Sequence, residues 1–236
     1  MAGDAPDFSI GTVDLSPIAI NTIPIVKNYP GGNVFFFDNF EGSDITWEII
    51  KKSGADYCFA EIDKTHAYIG TGCARLYRNE QQMVSIYLRR QFQFRSSDTI
   101  GVEFSFMFSG ISSAKVEFEY YYIINNTRYK FYISFEENDI KVETPQGNIT
   151  FPYSPGNDIK DMVWHNVKLI INTKDHRYVR LYYGKDVFNI DYSSFISSQE
   201  GEKAPTLRLG FFSNWPGDAQ KGVWIDKVIL TDDETI

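Results

Sequence analysis

From Val34 onward the chain alternates apolar and polar residues with a period of two. Ile100, Val102, Phe104, Phe106 and Phe108 are separated by smaller or polar residues. Val116, Phe118, Tyr120, Tyr122 and Ile124 alternate with Lys115, Glu117, Glu119 and Tyr121, and Val167, Leu169 and Ile171 with Asn166, Lys168 and Ile170. Successive side chains of a strand point to opposite faces, so each run predicts a strand with one face on a core. Turn-forming residues separate the runs, at Asn125 and Asn126, Glu137 to Asp139, Gln146 to Asn148, Pro155 to Asn157, Tyr183 to Lys185 and Pro216 to Asp218. The pattern predicts about fourteen strands and no amphipathic helix. Strands joined by tight turns, without crossover helices, pack as two antiparallel sheets. The run Tyr120, Tyr121, Tyr122 places aromatics on both faces of one strand, so at least one tyrosine points away from the core or meets a second packed layer.

The first 34 residues break this pattern. They hold four charges (Asp4, Asp7, Asp14 and Lys27), prolines at 6, 17, 24 and 30, and short apolar steps at Ile18, Ile20, Ile23 and Ile25. Proline permits an edge strand or an extended arm, not a central strand. Residues 1–34 are therefore expected to be an extended arm lying on its own sandwich or on a neighbouring subunit, and residues 35–236 the β-sandwich domain.

Composition sharpens the picture. The 19 Phe, 15 Tyr and 4 Trp make 16% of the chain, which favours the half-buried pleated surfaces of sheets. The 23 Lys and Arg against 31 Asp and Glu leave a charge of −8, which argues against nucleic acid, because phosphate binding needs a cationic surface. No apolar run approaches the roughly 18 residues of a membrane span. The start of the chain lacks the basic and apolar regions of a secretory signal; a virion or an extracellular surface is the favoured location. Cys58 and Cys73 fall on neighbouring strand-like runs, either as two buried thiols or as a disulfide across a hairpin. Two cysteines and three scattered histidines do not make a zinc site.

Several segments carry a resemblance: Asp38 to Ser43 (DNFEGS) with Trp47 and then Gly70 to Tyr77; the pair Trp164 to Ile171 and Tyr178 to Gly184; and the closing Gly222 to Ile229. In this order they resemble the opening, hairpin and last strands of concanavalin A-like and laminin-G-like jelly rolls, a superfamily that includes carbohydrate-binding modules. The resemblance implies an all-β, two-sheet antiparallel jelly-roll sandwich used for glycans, for protein contacts or as a shell. It also implies a structural calcium joining the first strand to the last, with Asp38, Glu41 and Asp226 as the matching ligands. The alternative is that Asp38 and Glu41 occupy a turn while Asp226 pairs with Lys227 or Arg75.

Chemistry is sparse. Glu61 and Asp63 resemble the start of the E-x-D-x-x-E strand of family 16 glycoside hydrolases, whose carboxylates must share one face. Here the third position is His66 and the segment comes too early in the chain. Nucleophile-elbow and phosphate-loop motifs are missing. His165 reads as a packed strand residue and His176 as a solvated loop tip. The expectation is that the chain is not an enzyme.

For ligands, the loop Ser213 to Gly222 offers Trp215 to stack on a sugar ring or anchor a protein, with Asn214 and Asp218 for hydroxyls. Tyr153 is a second loop aromatic of the same kind. Together these features predict a structural and binding module of a larger assembly, such as a virion surface or capsid decoration protein. Its partners would be neighbouring subunits and glycans. The alternative is a lectin-like carbohydrate-binding module.

Overall fold

The computed structural model describes residues 32–54, 56–78, 83–93, 97–109, 114–154, 159–199, 203–213 and 221–234. Residues 31–236 form one compact unit. The arm residues Ile18, Ile20, Ile23 and Ile25 lie outside the described residues. The described part is all-β, two antiparallel sheets of eight strands each, with no helix among the described residues; none of its elements is therefore a helix long and apolar enough to cross a membrane.

The first sheet runs β13 (Asp186–Asn189), β12 (Arg177–Tyr183), β11 (Trp164–Asn172), β6 (Thr99–Ser109), β16 (Gly222–Asp232), β4 (Cys73–Arg78) and β3 (Cys58–Asp63). Its eighth strand, β1 (Asn33–Asp38), pairs with β16 over Val228 to Asp232, beyond the stretch Gly222 to Ile225 that pairs with β4. The second sheet runs β10 (Gly147–Pro152), β9 (Asp139–Thr144), β8 (Thr127–Phe135), β7 (Ala114–Ile124), β15 (Lys203–Ser213), β5 (Val84–Gln91) and β2 (Glu48–Ser53), with β14 (Phe195–Ser198) on β8. The alternation underestimates the strand number because four-residue strands such as β13 and β14 are too short to show a period.

The predicted apolar faces meet in the interior. From the first sheet come Val102, Phe104, Phe106, Phe108, Val167 and Leu169, and from the second Val116, Phe118, Tyr120, Phe131, Ile133, Phe135, Leu209 and Phe211, all buried. Phe104 and Phe118 stack at 5.8 Å between centroids and Phe106 meets Phe135 at 5.2 Å, joining the sheets. Each such side chain stabilises the fold by about 1.5–3 kcal/mol on burial. Tyr121 alone of the tyrosine run faces away from this core, yet it is only 4% exposed. Its partners on the outer face, described below, explain why.

Cys58 and Cys73 are buried and not bridged to each other. In the β3–β4 register Cys58 pairs with Arg78 and Cys73 with Asp63, at opposite ends of the hairpin. Five residues of strand separate them by about 16 Å, more than twice what a disulfide spans.

Candidate functional site

The outer face of the second sheet carries a chain of polar contacts that begins with the register. Across four strands Glu117 of β7 lies opposite Gly210 of β15, which lies opposite Tyr87 of β5, and Glu117 also faces Ser134 of β8. One row further, Glu119 lies opposite Arg208 and Tyr132, and Arg208 opposite Arg89. Period-two alternation thus puts Lys115, Glu117, Glu119 and Tyr121 on one face, with Tyr87, Arg208, Arg128 and Tyr132 reaching over them.

Gly210 makes the first cluster possible. A Cβ there would sit 2.3 Å from Tyr87 Cδ1 and 2.5 Å from Cε1, so the tyrosine ring lies flat across the bare backbone of β15. Its hydroxyl thereby donates to Glu117 Oε2. On the other side the Tyr132 hydroxyl donates to Glu117 Oε1 at 2.5 Å and Lys115 Nζ lies 2.8 Å from the same oxygen. In the second cluster Glu119 Oε1 accepts from Arg128 at 2.5 Å and from Arg208 at 3.0 Å. The two guanidinium groups stand 4.3 and 4.9 Å from the Tyr121 ring centre, which covers the outward-facing tyrosine.

The electrostatics follow from these contacts. Burial pushes the Glu117 carboxyl up, but the hydrogen bonds from Lys115, Tyr132 and Tyr87 outweigh it, so it titrates below the usual glutamate value. Burial, and then the Glu117 charge, hold Tyr87 and Tyr132 well above the ordinary tyrosine value. At neutral pH the face therefore presents an ionised carboxylate fixed between two protonated phenols. Glu117, Glu119, Tyr87 and Tyr121 are nearly fully covered, whereas Lys115, Tyr132, Phe212, Arg128 and Arg208 are only partly buried above or beside them. The arrangement can offer hydrogen bonds and ring faces to a polar ligand without moving any side chain far.

Beside Lys115 opens a cavity of about 540 Å³, within the range of ligand sites. Lys115, Phe212, Glu136, Asn138, Asp139 and Lys141 line it. Its wall is the β8–β9 turn, held by the Tyr153 hydroxyl, which donates to Glu136 O at 2.9 Å and Asp139 O at 3.0 Å.

Tyr153, expected as a loop aromatic for a ligand, is thus half-buried, 4.9 Å from the Tyr183 ring, and braces the cavity from behind. Asn214, Trp215 and Asp218 lie outside the described residues; Phe212, two residues before Asn214, lines the cavity. The three carboxylates matched to a calcium site are each spent on protein donors. Asp38 accepts from Phe40 N–H (2.9 Å) and Trp47 Nε1–H (2.8 Å). Glu41 accepts from Thr71 N–H (2.7 Å), the Thr71 hydroxyl (2.5 Å) and Gly72 N–H (3.3 Å), and the Thr71 hydroxyl leads in holding it below the usual range. Asp226 accepts from the amides of Tyr68 (2.8 Å), Ile69 (2.9 Å) and Lys227 (2.6 Å), and burial raises it to about 6. No group of three His, Cys, Asp or Glu side chains converges as a metal site among the described residues, and of the three carboxylates Glu41 and Asp226 stand near enough for the Glu41 charge to help raise Asp226. Neither alternative pairing of Asp226 holds: Lys227 Nζ lies 2.8 Å from Glu103, and Arg75 is 3.2 Å from Glu61.

His165 is a packed residue as expected, stacked on Tyr183 with its Nδ1 2.7 Å from the Tyr183 hydroxyl. His176 is not the solvated tip that its turn predicts: its ring lies on Tyr129 at 3.6 Å and its Nδ1 is 2.7 Å from the Tyr122 hydroxyl. On the first sheet Glu61 of β3 contacts Arg75 and Tyr77 of β4, and Asp63 accepts from Trp224 Nε1–H at 2.6 Å.

No protein-family model and no curated protein matches this chain. Solved structures do. An endo-β-1,4-glucuronan lyase from the fungus Trichoderma reesei superposes with a TM-score of 0.60 at 12% identity, over 86% of this chain and 98% of that one. A cellulose-induced protein gives 0.57 at 13% identity, over 83% and 96%. A Bacteroides ovatus GH16 protein in complex with a mixed-linkage glucan product gives 0.53 at 10% identity, over 83% and 99%. The expectation that the chain is not an enzyme is corrected here. It rested on missing motifs, and the fold that the chain adopts is also the fold of a lyase and of a GH16 protein. What these likenesses establish is architecture: the chain shares the two-sheet jelly-roll sandwich fold of these proteins.

Proposed function

We propose that this protein binds a carbohydrate chain across the outer face of its second sheet, over Tyr132, Lys115 and Phe212. One observation carries the reading: a buried carboxylate, Glu117, held by Tyr87, Tyr132 and Lys115 in the middle of a sheet face and beside a cavity of about 540 Å³. A surface serving only solubility has no need of a buried carboxylate bonded on both oxygens whose outer partners are partly exposed aromatics and cations. Sugars present apolar C–H faces, which suit Tyr132 and Phe212, and hydroxyls, which suit Lys115, Arg128 and Arg208. Proteins with this fold include one named for glucuronan and one seen with a glucan product, which supports a glycan as the ligand class.

The test is native-gel electrophoresis through soluble polysaccharides, including β-glucan, xylan and glucuronan. The wild type should be retarded by at least one of them, and Tyr132→Ala and Phe212→Ala should each lose most of that retardation. Retardation by none, or equal retardation of both variants, removes the reading. A role as a subunit of a larger assembly, such as a virion surface, has its basis in the sequence of residues 1–34 and gains no support from the described residues.

A further inference from the structure

We infer that the glycan taken by this face is acidic, with carboxylate or sulfate groups on its sugar units that are met by Arg128, Arg208 and Lys52. The inference rests on reading the outer face of the second sheet as a glycan site and adds the charge class of the ligand.

The balance of charge is the first reason. Toward β9 the cations have carboxylates of their own: Lys130 meets Glu143 at 2.5 Å, and Lys141 meets Glu136 and stands 3.9 Å from Asp139. The rest of the face, over β2, β5, β15, β7 and β8, sets Lys52, Arg89, Arg208, Lys115 and Arg128 against Glu48, Glu117 and Glu119 among the described residues. Glu48 is taken by Arg89 and Glu117 by Lys115. Glu119 alone is left to serve both Arg128 and Arg208. Lys52 lies over the Tyr87 ring, 4.6 Å from its centre, and is in ion-pair contact with no carboxylate among the described residues. These strands thus carry two more cations than anions in a chain whose net charge is −8.

The second reason is where the surplus sits. Arg128 and Arg208 bring their guanidinium groups to the same oxygen, Glu119 Oε1, at 2.5 and 3.0 Å. Arg89 stands directly opposite Arg208 in the β15–β5 register. Like charges directly opposite each other destabilise a sheet, and two guanidinium groups on one oxygen repel. A sheet built only for stability does better with a neutral residue at one of these three positions. An anion brought by a ligand removes the repulsion.

The third reason is access. The Arg128 and Arg208 side chains are 24% and 16% exposed, while Glu119 beneath them is 9% exposed, so a ligand reaches the arginines and not the carboxylate they share. Lys52 is exposed. The Tyr121 ring, 4.3 and 4.9 Å from the two guanidinium carbons, and its hydroxyl, which accepts from Arg208 at 3.2 Å, hold the planes in place. A fixed guanidinium presents a fork of N–H donors that matches the paired oxygens of a carboxylate or a sulfate, and such charge-assisted bonds are about twice as strong as those to a hydroxyl. Tyr132 lies opposite Glu119 in the register, so a sugar stacked on Tyr132 has this pair beside it.

The experiment is isothermal titration of the full chain at neutral pH and low ionic strength with three hexamers: cellohexaose, the β-1,4-linked hexamer of glucuronic acid, and sulfated cellohexaose. At least one acidic hexamer should bind about tenfold more tightly than cellohexaose, the better of the two identifying the group, and added salt should shrink the preference. Arg128→Gln and Arg208→Gln each leave Glu119 with one arginine; each should lower the preference about threefold, as should Lys52→Gln, which touches only the Tyr87 ring. Lys174→Gln removes one positive charge from the β11–β12 turn of the other sheet and should leave the preference unchanged. Equal affinity for neutral and acidic hexamers, or a preference that Lys174→Gln lowers as much as the other three variants do, overturns the inference while leaving the glycan face standing. Binding of none of the three, together with no retardation in polysaccharide gels, removes both.

Discussion

Replacing Gly210 with alanine probes the outer-face network without touching any of its polar atoms. The added Cβ would lie 2.3, 2.5 and 3.0 Å from Tyr87 Cδ1, Cε1 and Cγ. Real Cβ atoms do not approach so closely, and Tyr87 is only 6% exposed, so the ring must be driven off β15. Overpacking of this kind costs about 1–3 kcal/mol. Moving the ring also breaks the hydrogen bond from its hydroxyl to the ionised Glu117, worth about 1.5–3 kcal/mol. Alanine recovers about 0.5–1 kcal/mol over glycine in a strand. The net expectation is a loss of about 2–5 kcal/mol, read as a shift of the urea midpoint at unchanged slope. Gly42→Ala is the control, since a Cβ there meets nothing closer than 3.5 Å; it should change stability by no more than about 0.5 kcal/mol. The decisive step is a double-mutant cycle with Tyr87→Ala. Once the ring is gone the alanine at 210 has room, so the second substitution should cost at least about 2 kcal/mol less than it does alone. If the two substitutions add within about 0.5 kcal/mol, Gly210 is not there for Tyr87 and the reasoning fails.

Further outcomes follow from the same contacts. Glu234 Oε1 lies 2.7 Å from Lys168 Nζ with both side chains almost fully buried, so Glu234→Ala, which strands the lysine charge, should cost about 3–5 kcal/mol in denaturant melts; Lys168→Met combined with Glu234→Leu should recover most of it, and no recovery would contradict the ion-pair account. His176 is lowered from 6.5 by burial, so the unfolded chain binds more protons below that value. Its contribution to stability is present above pH 6.5 and fades as the pH falls through the lower folded value, a slope that His176→Phe should flatten. Asp226 works in the opposite sense: raised from 3.8 to about 6, it favours the fold below pH 3.8 and loses that contribution as the pH rises through 6, by about 3 kcal/mol, so Asp226→Asn should compare better with the wild type at pH 7 than at pH 4. Both thiols are buried and burial raises each, Cys73 to about 12, so a thiol reagent should find neither in the native protein and two after unfolding, with or without reductant; a count below two without reductant would reveal a disulfide.

The sandwich was legible in the sequence because period-two alternation reports directly on which residues face a core. The same alternation exposed Lys115, Glu117, Glu119 and Tyr121 as one polar face of β7. It could not show that this face becomes a site, because the partners come from far along the chain: Tyr87 lies 30 residues before Glu117, and Arg208 lies 89 residues after Glu119. Strand order, which brings them together over Gly210, depends on long-range pairing that local pattern does not encode. The surroundings of Tyr153 were hidden for a related reason. A tyrosine among prolines looks exposed until the β8–β9 turn is placed above its hydroxyl. Asp38, Glu41 and Asp226 resemble a calcium set in sequence; in the fold Asp38 holds Trp47, while Asp226 and Glu41 hold the amides of Tyr68, Ile69, Thr71 and Gly72 in one short segment. The expectation of no enzymatic activity failed on a general point: a missing motif excludes only the chemistry that the motif encodes.

The most direct test of the account is a crystal structure of the protein with the oligosaccharide that binds it best. The account predicts sugar density on the outer face of the second sheet, with a ring against Tyr132 or Phe212 and a hydroxyl within hydrogen-bond distance of Lys115. Density on the outer face of the first sheet, near Trp224 and Arg75, with the Glu117 face bare, would contradict it.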